Sequence, residues 1–417
     1  MKILWFSNYR FSSKDDSRTG TWLGAMGRAL VATGQCNLVN VTIAPVDDLT
    51  FDESGGVRQW LLPFWKTGCD GMPSVANLAK IKELVDSEKP DLVHVWGLES
   101  YYGLLIARGI ISGYKTLLDI QGIRFAVGNF FMGNLTLAEQ IRCIGVKELL
   151  RWSISPIATQ KRYLSFLDWE IETIRGFGDI SYQSQWSHDY LKTLASPNVK
   201  LHRTQRMLRK EFEVGGWSLS SRNDSEPYIF AMCGAAPYKG LHIAVRAFSF
   251  LVKSRGSGRN LKMLIGGGMG RTDYFRSGYL KFVQSEIKRL GLVANVAFLG
   301  PLNAGQMREY FLGASAFLHP SFIESYSLVV AESMSMGVPS VISYAGAMPE
   351  LAVDGESALY YPSGDAVLCA ERICRILDSD ELAQKLSRNA RDIAIKRNSH
   401  DKGVQRQLEI YHDVLGN

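Results

Sequence analysis

The chain predicts an α/β fold built as two doubly wound, Rossmann-like domains with parallel sheets. Three observations predict it. At 417 residues the chain exceeds one ordinary core. Short apolar runs alternate with helix-like stretches from end to end. A polar, glycine- and serine-rich stretch at 215–226 breaks the alternation, which then restarts.

The elements follow in order. Lys2-Ile3-Leu4-Trp5-Phe6 reads as a buried strand opening into a polar loop, and a helix from about Thr21 to Thr33 is stopped by Gly34. Residues 91–96 and 115–120 read as further strands, each ending in a polar loop. Residues 135–163 are less regular and mix long apolar side chains with Arg142, Lys147, Arg151, Lys161 and Arg162. Beyond the break, 228–232 is a strand, Leu241 to Lys253 a helix, and 261–265 a strand ending in Gly266-Gly267-Gly268. Residues 296–299 and 316–318 are strands too. The expected division is 1–214 as a first domain, 215–226 as linker, 227–396 as a second domain and 397–417 as a terminal helix.

Composition narrows the class. With 46% hydrophobic residues, 39 Gly and 13 Pro, the chain packs rather than staying disordered. It has no apolar run of the roughly 18 to 20 residues that spans a bilayer. The N-terminus enters a strand without a basic leader, so a cytoplasmic location is expected. Six scattered cysteines without metal-type spacing read as reduced core thiols. A net charge of +6 suits anionic small molecules or a lipid surface, and equally suits no partner at all. No nucleic-acid partner is expected.

The chemistry concentrates in the second half. Glu324 and Glu332 stand eight apart, a loop acid and an acid inside the next helix, beside a helix N-terminus that attracts phosphate. Such a set suits a nucleotide-sugar, with acids for its hydroxyls and a dipole for its diphosphate. Lys239 falls after a strand and before a helix, where its ammonium either meets a leaving diphosphate or is merely solvated. In the first half, Gly20 lies in a loop before a helix, as phosphate-approaching glycines do, though an ordinary turn reads the same. His94 near a strand end is either a site residue or a satisfied core residue. His202, His242 and His319 lack metal-ligand spacing and read as structural. No Asp-x-Asp dyad with aromatic and hydroxyl support stands at a strand end, so no metal is expected. Gly-x-Ser-x-Gly is absent. The glycine triplet lacks dinucleotide spacing, so no cofactor is expected.

Four blocks in order resemble the retaining glycosyltransferases of family 4. They are Gly234-Ala235-Ala236-Pro237-Tyr238-Lys239-Gly240, then Gly266-Gly267-Gly268, then Pro320-Ser321 leading into Glu324 to Glu332, then Gly337 to Ser343 with Pro349-Glu350-Leu351 and Asp354-Gly355. The resemblance implies the GT-B fold, two facing Rossmann-like domains with an interdomain cleft and a final helix, near His400 to Leu415, crossing back to the first domain. It implies retaining, metal-independent transfer of a sugar from a UDP- or GDP-linked donor to a saccharide or lipid-linked acceptor in polysaccharide assembly. Glu324, Lys239 and His94 would then serve catalysis. Glu332, Gly20, Gly234, Ser325, Tyr326, Ser327 and Leu328 would bind donor, Glu332 through the ribose and 325–328 through backbone N–H groups.

The chain also departs from that pattern. Many relatives place a phosphate-binding arginine near Ala235, where this chain has none, and Arg271 and Arg203 are the candidates to substitute for it. Ser327 replaces a common glycine, and Trp96 and Gln121 stand where many relatives have histidine. The stretch 135–169 reads either as an acceptor platform on a membrane surface or as a packing insert with solvated charges. A non-catalytic glycan-binding protein and a nucleotide-sugar epimerase on the same scaffold are the alternative functions.

Overall fold

In the computed structural model, residues 1–12, 21–255, 260–267 and 277–416 are described. Contacts divide the chain into two units. The first comprises Met1–Arg124, Phe166–Leu208 and Asn398–Asn417, and the second Phe125–Ser165 and Arg209–Arg397. No described helix is long and apolar enough to cross a membrane.

The first unit holds an eight-stranded sheet. Its strands are β1 (Lys2–Phe6), β2 (Asn37–Ile43), β3 (Thr50–Ser54), β4 (Val57–Leu62), β5 (Leu92–Trp96), β6 (Lys115–Asp119), β7 (Asp179–Tyr182) and β8 (Lys200–Arg203). Their order is β3-β4-β2-β1-β5-β6-β7-β8, with every pairing parallel except β3 with β4. That antiparallel edge departs from the all-parallel expectation, and the turn Gly55-Gly56, both at positive φ, makes it. The central strand β1 buries Ile3, Leu4, Trp5 and Phe6 completely, as a strand covered on both faces must. Helix Thr21–Ala32 presents Leu23, Met26 and Leu30 to this core at helical spacing. The terminal helix His400–Leu415 belongs to this unit and buries Tyr411, whose hydroxyl accepts from the Trp5 indole at 2.9 Å.

The second unit holds six parallel strands, β9 (Tyr228–Met232), β10 (Lys262–Gly266), β11 (Val296–Gly300), β12 (Ala316–His319), β13 (Ser340–Tyr344) and β14 (Leu359–Pro362). Their order is β11-β10-β9-β12-β13-β14. The chain builds outward from β9 to β11, then returns to the other side of β9 with β12. Order therefore reverses between β9 and β12, and ligands of open α/β sheets bind at the carboxyl ends of such neighbours.

Two segments are placed differently from the sequence expectation. Residues 125–165 pack on the second unit, although the chain order had assigned them to the first domain. Glu139 pairs with Arg246, the Gly133 carbonyl accepts from His242 Nε2 at 2.7 Å, and Glu148 accepts from the Gly278 N–H at 2.7 Å. The stretch 215–226 has a linker's composition but is pinned to the second unit. Trp217 is buried, its indole donates to the Ala314 carbonyl at 2.7 Å, and its N–H to the Met336 carbonyl at 2.7 Å.

Candidate active site

The two loops leaving the switch point carry the candidate residues. Beyond β9 the chain passes Gly234 and makes a 3₁₀ turn, Pro237–Lys239, closed by Gly240 at φ +71°. A Cβ on Gly240 would stand 1.9 Å from the Pro320 carbonyl oxygen, so the turn bearing Lys239 presses on the loop leaving β12. Gly346, at φ +54°, does the same for the opposite side. Its Cβ would meet the Glu324 carbonyl oxygen at 2.2 Å, beside the Ala347 N–H that donates to that oxygen at 2.8 Å. Glycines thus clamp both partners of one ion pair.

Lys239 Nζ donates to Glu324 Oε1 at 2.7 Å, and the Ser321 hydroxyl donates to the same oxygen at 2.7 Å. His319 Nε2 lies 3.2 Å from it and 3.4 Å from the Ser327 hydroxyl. No partner for Glu324 Oε2 is found among the described residues. Burial pushes the Glu324 carboxyl up, but Lys239 and then His319 outweigh it and hold the group far below the usual carboxylate range. Burial likewise opposes the Lys239 charge, and Glu324 more than restores it, so the ammonium sits above its ordinary value. The Lys239 side chain keeps 28% exposure, so a ligand can reach it.

Next to this pair starts the helix Leu328–Ser335. Ser327 is its N-cap, accepting from the Val330 N–H at 3.4 Å, which explains a serine where glycine is common. The first-turn N–H groups have no carbonyl within the helix to bond, and such an end attracts an anion. One turn further, Glu332 is buried and held by both ends of the Arg209 guanidinium, Nε to Oε1 and Nη2 to Oε2, each at 2.8 Å. Burial pushes the Glu332 carboxyl up and Arg209 pulls it partway back. Arg209 itself lies over the Phe212 ring at 4.7 Å.

The second unit therefore holds Gly234, Lys239, Glu324, Ser325, Tyr326, Ser327, Leu328 and Glu332 of the sequence-derived set. A Cβ on Gly234 would stand 3.1 Å from Lys239 Cγ, so this glycine gives the lysine stem its room. Gly20, Gly268 and Arg271 lie outside the described residues. His94 lies in the first unit, fully buried in β5, with its ring 3.9 Å from that of Trp96 and Nδ1 3.0 Å from the Tyr411 hydroxyl. Burial, and then the charge of Arg206, lower its pKa well below the ordinary value, and Nε2 has no partner among the described residues. His319 and Arg209 were missed. A histidine five residues before Glu324 at a strand end was a usable signal; for Arg209, 123 residues from Glu332, there was none.

The first unit also carries a cavity of about 280 Å³ beyond the ends of β4 and β5, lined by Phe64, Trp65, Glu99, Tyr101, Arg124 and Trp169 among others. The Tyr101 hydroxyl is buried without a partner among the described residues. Among the described residues, no group of three His, Cys, Asp or Glu side chains is placed to hold a metal ion.

Comparison with known proteins bears on the family of the second unit and on the fold. Residues 219–393 match the family described as glycosyl transferases group 1, a stretch containing Lys239, Glu324 and Glu332. The D-inositol 3-phosphate glycosyltransferase of Corynebacterium efficiens is 28% identical over 154 residues, 37% of this chain and 35% of the relative. The chain thus spans about a third of that relative's length. Sucrose-phosphate synthase from Thermosynechococcus elongatus superimposes with TM-score 0.73 at 16% identity, covering 100% of this chain and 99% of that one. Anabaena HepE in complex with UDP and glucose superimposes with TM-score 0.71 at 16% identity, covering 99% and 100%. The fold is GT-B, with two Rossmann-like units each built on its own sheet.

Proposed function

We propose that this protein transfers a glycosyl group, with retention, from a UDP- or GDP-linked sugar to a saccharide hydroxyl. The observation that carries the reading is the Lys239–Glu324 pair at the switch point, beside the helix that bears Glu332. The ammonium has three protons and spends one on Glu324, leaving two for a diphosphate oxygen. Glu324 Oε2 accepts from a hydroxyl of the donor sugar. Glu332 keeps a lone pair on each oxygen for the ribose hydroxyls, and Arg209 offsets part of the cost of burying its charge. As the bond from the anomeric carbon to the phosphate oxygen breaks, its electrons pass to the diphosphate. The acceptor hydroxyl attacks the same face and gives its proton to that leaving oxygen. Lys239 and the first-turn N–H groups at Leu328 hold the developing charge.

No metal enters this scheme, because the cationic role falls to Lys239 and the helix end. By the family resemblance, His94 is assigned to catalysis and Gly20 to donor binding. The aromatic cavity of the first unit suits the apolar face of an acceptor sugar ring, with Glu99 and Arg124 for its hydroxyls. The acceptor is a saccharide or a lipid-linked saccharide of polysaccharide assembly, met at the cytoplasmic face of a membrane. Support comes from the group 1 match and from the UDP and glucose bound by HepE, which shares the fold.

The test is release of nucleotide diphosphate from UDP- and GDP-sugars, with a lipid and saccharide extract as acceptor source. Lys239→Ala is expected to lower turnover by about 10² while the chain still folds, with some loss of stability because Glu324 loses its partner. A variant within roughly threefold of wild type removes Lys239 from that role. An epimerase would release no nucleotide on adding acceptor.

A further inference from the structure

Among the described residues, eight of the eighteen exposed large apolar side chains fall in the 25-residue span 130–154. Leu137, Val146, Leu149 and Leu150 are between 69% and 83% exposed, and Ile141 and Trp152 join them. Scattered single apolar residues are ordinary on a surface, whereas a concentration like this marks an interaction face. The span is not frayed. Cys143 is completely buried, and a Cβ on Gly278 would stand 1.9 Å from its carbonyl oxygen, so the two backbones touch. Glu148 accepts from the N–H groups of both Gly145 and Gly278, locking the short helix Val146–Leu150 in place with Leu149 and Leu150 outward.

Charge sorts the possible occupants. Arg142, Lys147, Arg151, Lys161 and Arg162 are exposed around the apolar residues. Both acids of the span are spent inward, Glu139 on Arg246 and its own helix cap, Glu148 on backbone N–H groups. The outward face is thus apolar and positive, with a tryptophan among the cations. A second copy of this chain would bring like charges together, whereas an anionic bilayer offers hydrocarbon and negative headgroups at once.

We propose that residues 130–162 form a docking surface of the second unit for an anionic phospholipid bilayer. This deepens the membrane part of the functional reading, and sugar transfer itself does not depend on it. The same segment packs on the turn bearing Lys239, where the Phe131 and Tyr238 rings lie 5.6 Å apart. Lipid docking and the site therefore share one rigid support.

The experiment is co-sedimentation of the full chain with phosphatidylglycerol/phosphatidylcholine vesicles and with pure phosphatidylcholine vesicles. Binding to anionic vesicles is expected to be roughly tenfold tighter or more than to neutral ones, and to weaken as salt rises. The paired substitutions Leu149→Glu and Leu150→Glu should cut it by roughly tenfold or more at unchanged melting temperature. Lys147→Gln with Arg151→Gln should remove the preference for anionic lipid and leave the apolar contribution. Equal binding to both vesicles, or wild-type binding by the Leu149/Leu150 variant, overturns the proposal. So does a dimer in light scattering that the Leu149/Leu150 variant dissolves, since the face would then join two copies. The melting shift given by nucleotide diphosphates in the same variants reads the transfer site separately.

Discussion

Glu324 Oε1 accepts from Lys239 and Ser321 and lies 3.2 Å from His319 Nε2, and this crowding explains how a buried acid stays charged. Lys239, Glu324 and Glu332 were legible in the sequence because their roles depend on local spacing around one turn and one helix start. Arg209 and His319 were not, because their contacts are made by tertiary packing. His242 shows the same limit. It read as structural, and its ring is completely buried between the Tyr279 hydroxyl at 2.9 Å and the Gly133 carbonyl at 2.7 Å. Burial lowers its pKa to about 4. A depressed histidine contributes stability that is fully present above the unfolded value of about 6.5 and is lost as pH falls through about 4, because the unfolded chain then binds the extra proton. Denaturation free energy should therefore decline across that window, and His242→Gln should decline less steeply there. Parallel curves for the two proteins would contradict this. Glu324 has the same sign at lower pH, its contribution fading below the ordinary glutamate value of about 4.3.

At the scale of elements, alternation disclosed the strands and helices, and the helix His400–Leu415 falls where the sequence placed it. It did not disclose which sheet residues 125–165 would join, since Glu139–Arg246 and Glu148–Gly278 are long-range choices without a period. The stretch 215–226 misled for a related reason. Its glycines and serines resemble a spacer, but Trp217 anchors it. The turn Pro237–Lys239 was legible as a motif, while its need for Gly240 rests on the Pro320 carbonyl 80 residues on. Gly240→Ala must place a Cβ at φ +71° and 1.9 Å from that oxygen. The expected cost is about 2 kcal/mol or more in chemical denaturation, with Lys239 displaced and nucleotide affinity reduced. An alanine variant as stable as wild type, with nucleotide affinity intact, would show that the turn does not need the clamp.

For the whole molecule, length and the alternation of strands and helices disclosed two Rossmann-like units, and the reversal between β9 and β12 points to a candidate site on the second. The central claim is that the second unit grips a nucleotide diphosphate through Lys239, the helix at Leu328 and Glu332. The most direct measurement is a melting-temperature panel with UDP, GDP, CDP, dTDP and NAD at millimolar concentration, on wild type and Glu332→Ala. Ligand at 100 times its dissociation constant stabilises by about 2.7 kcal/mol, which such a melt resolves. The account predicts that UDP or GDP raises the wild-type melt, that Glu332→Ala loses most of that rise, and that NAD does nothing. A melt unmoved by every diphosphate, or moved equally in the variant, would contradict it.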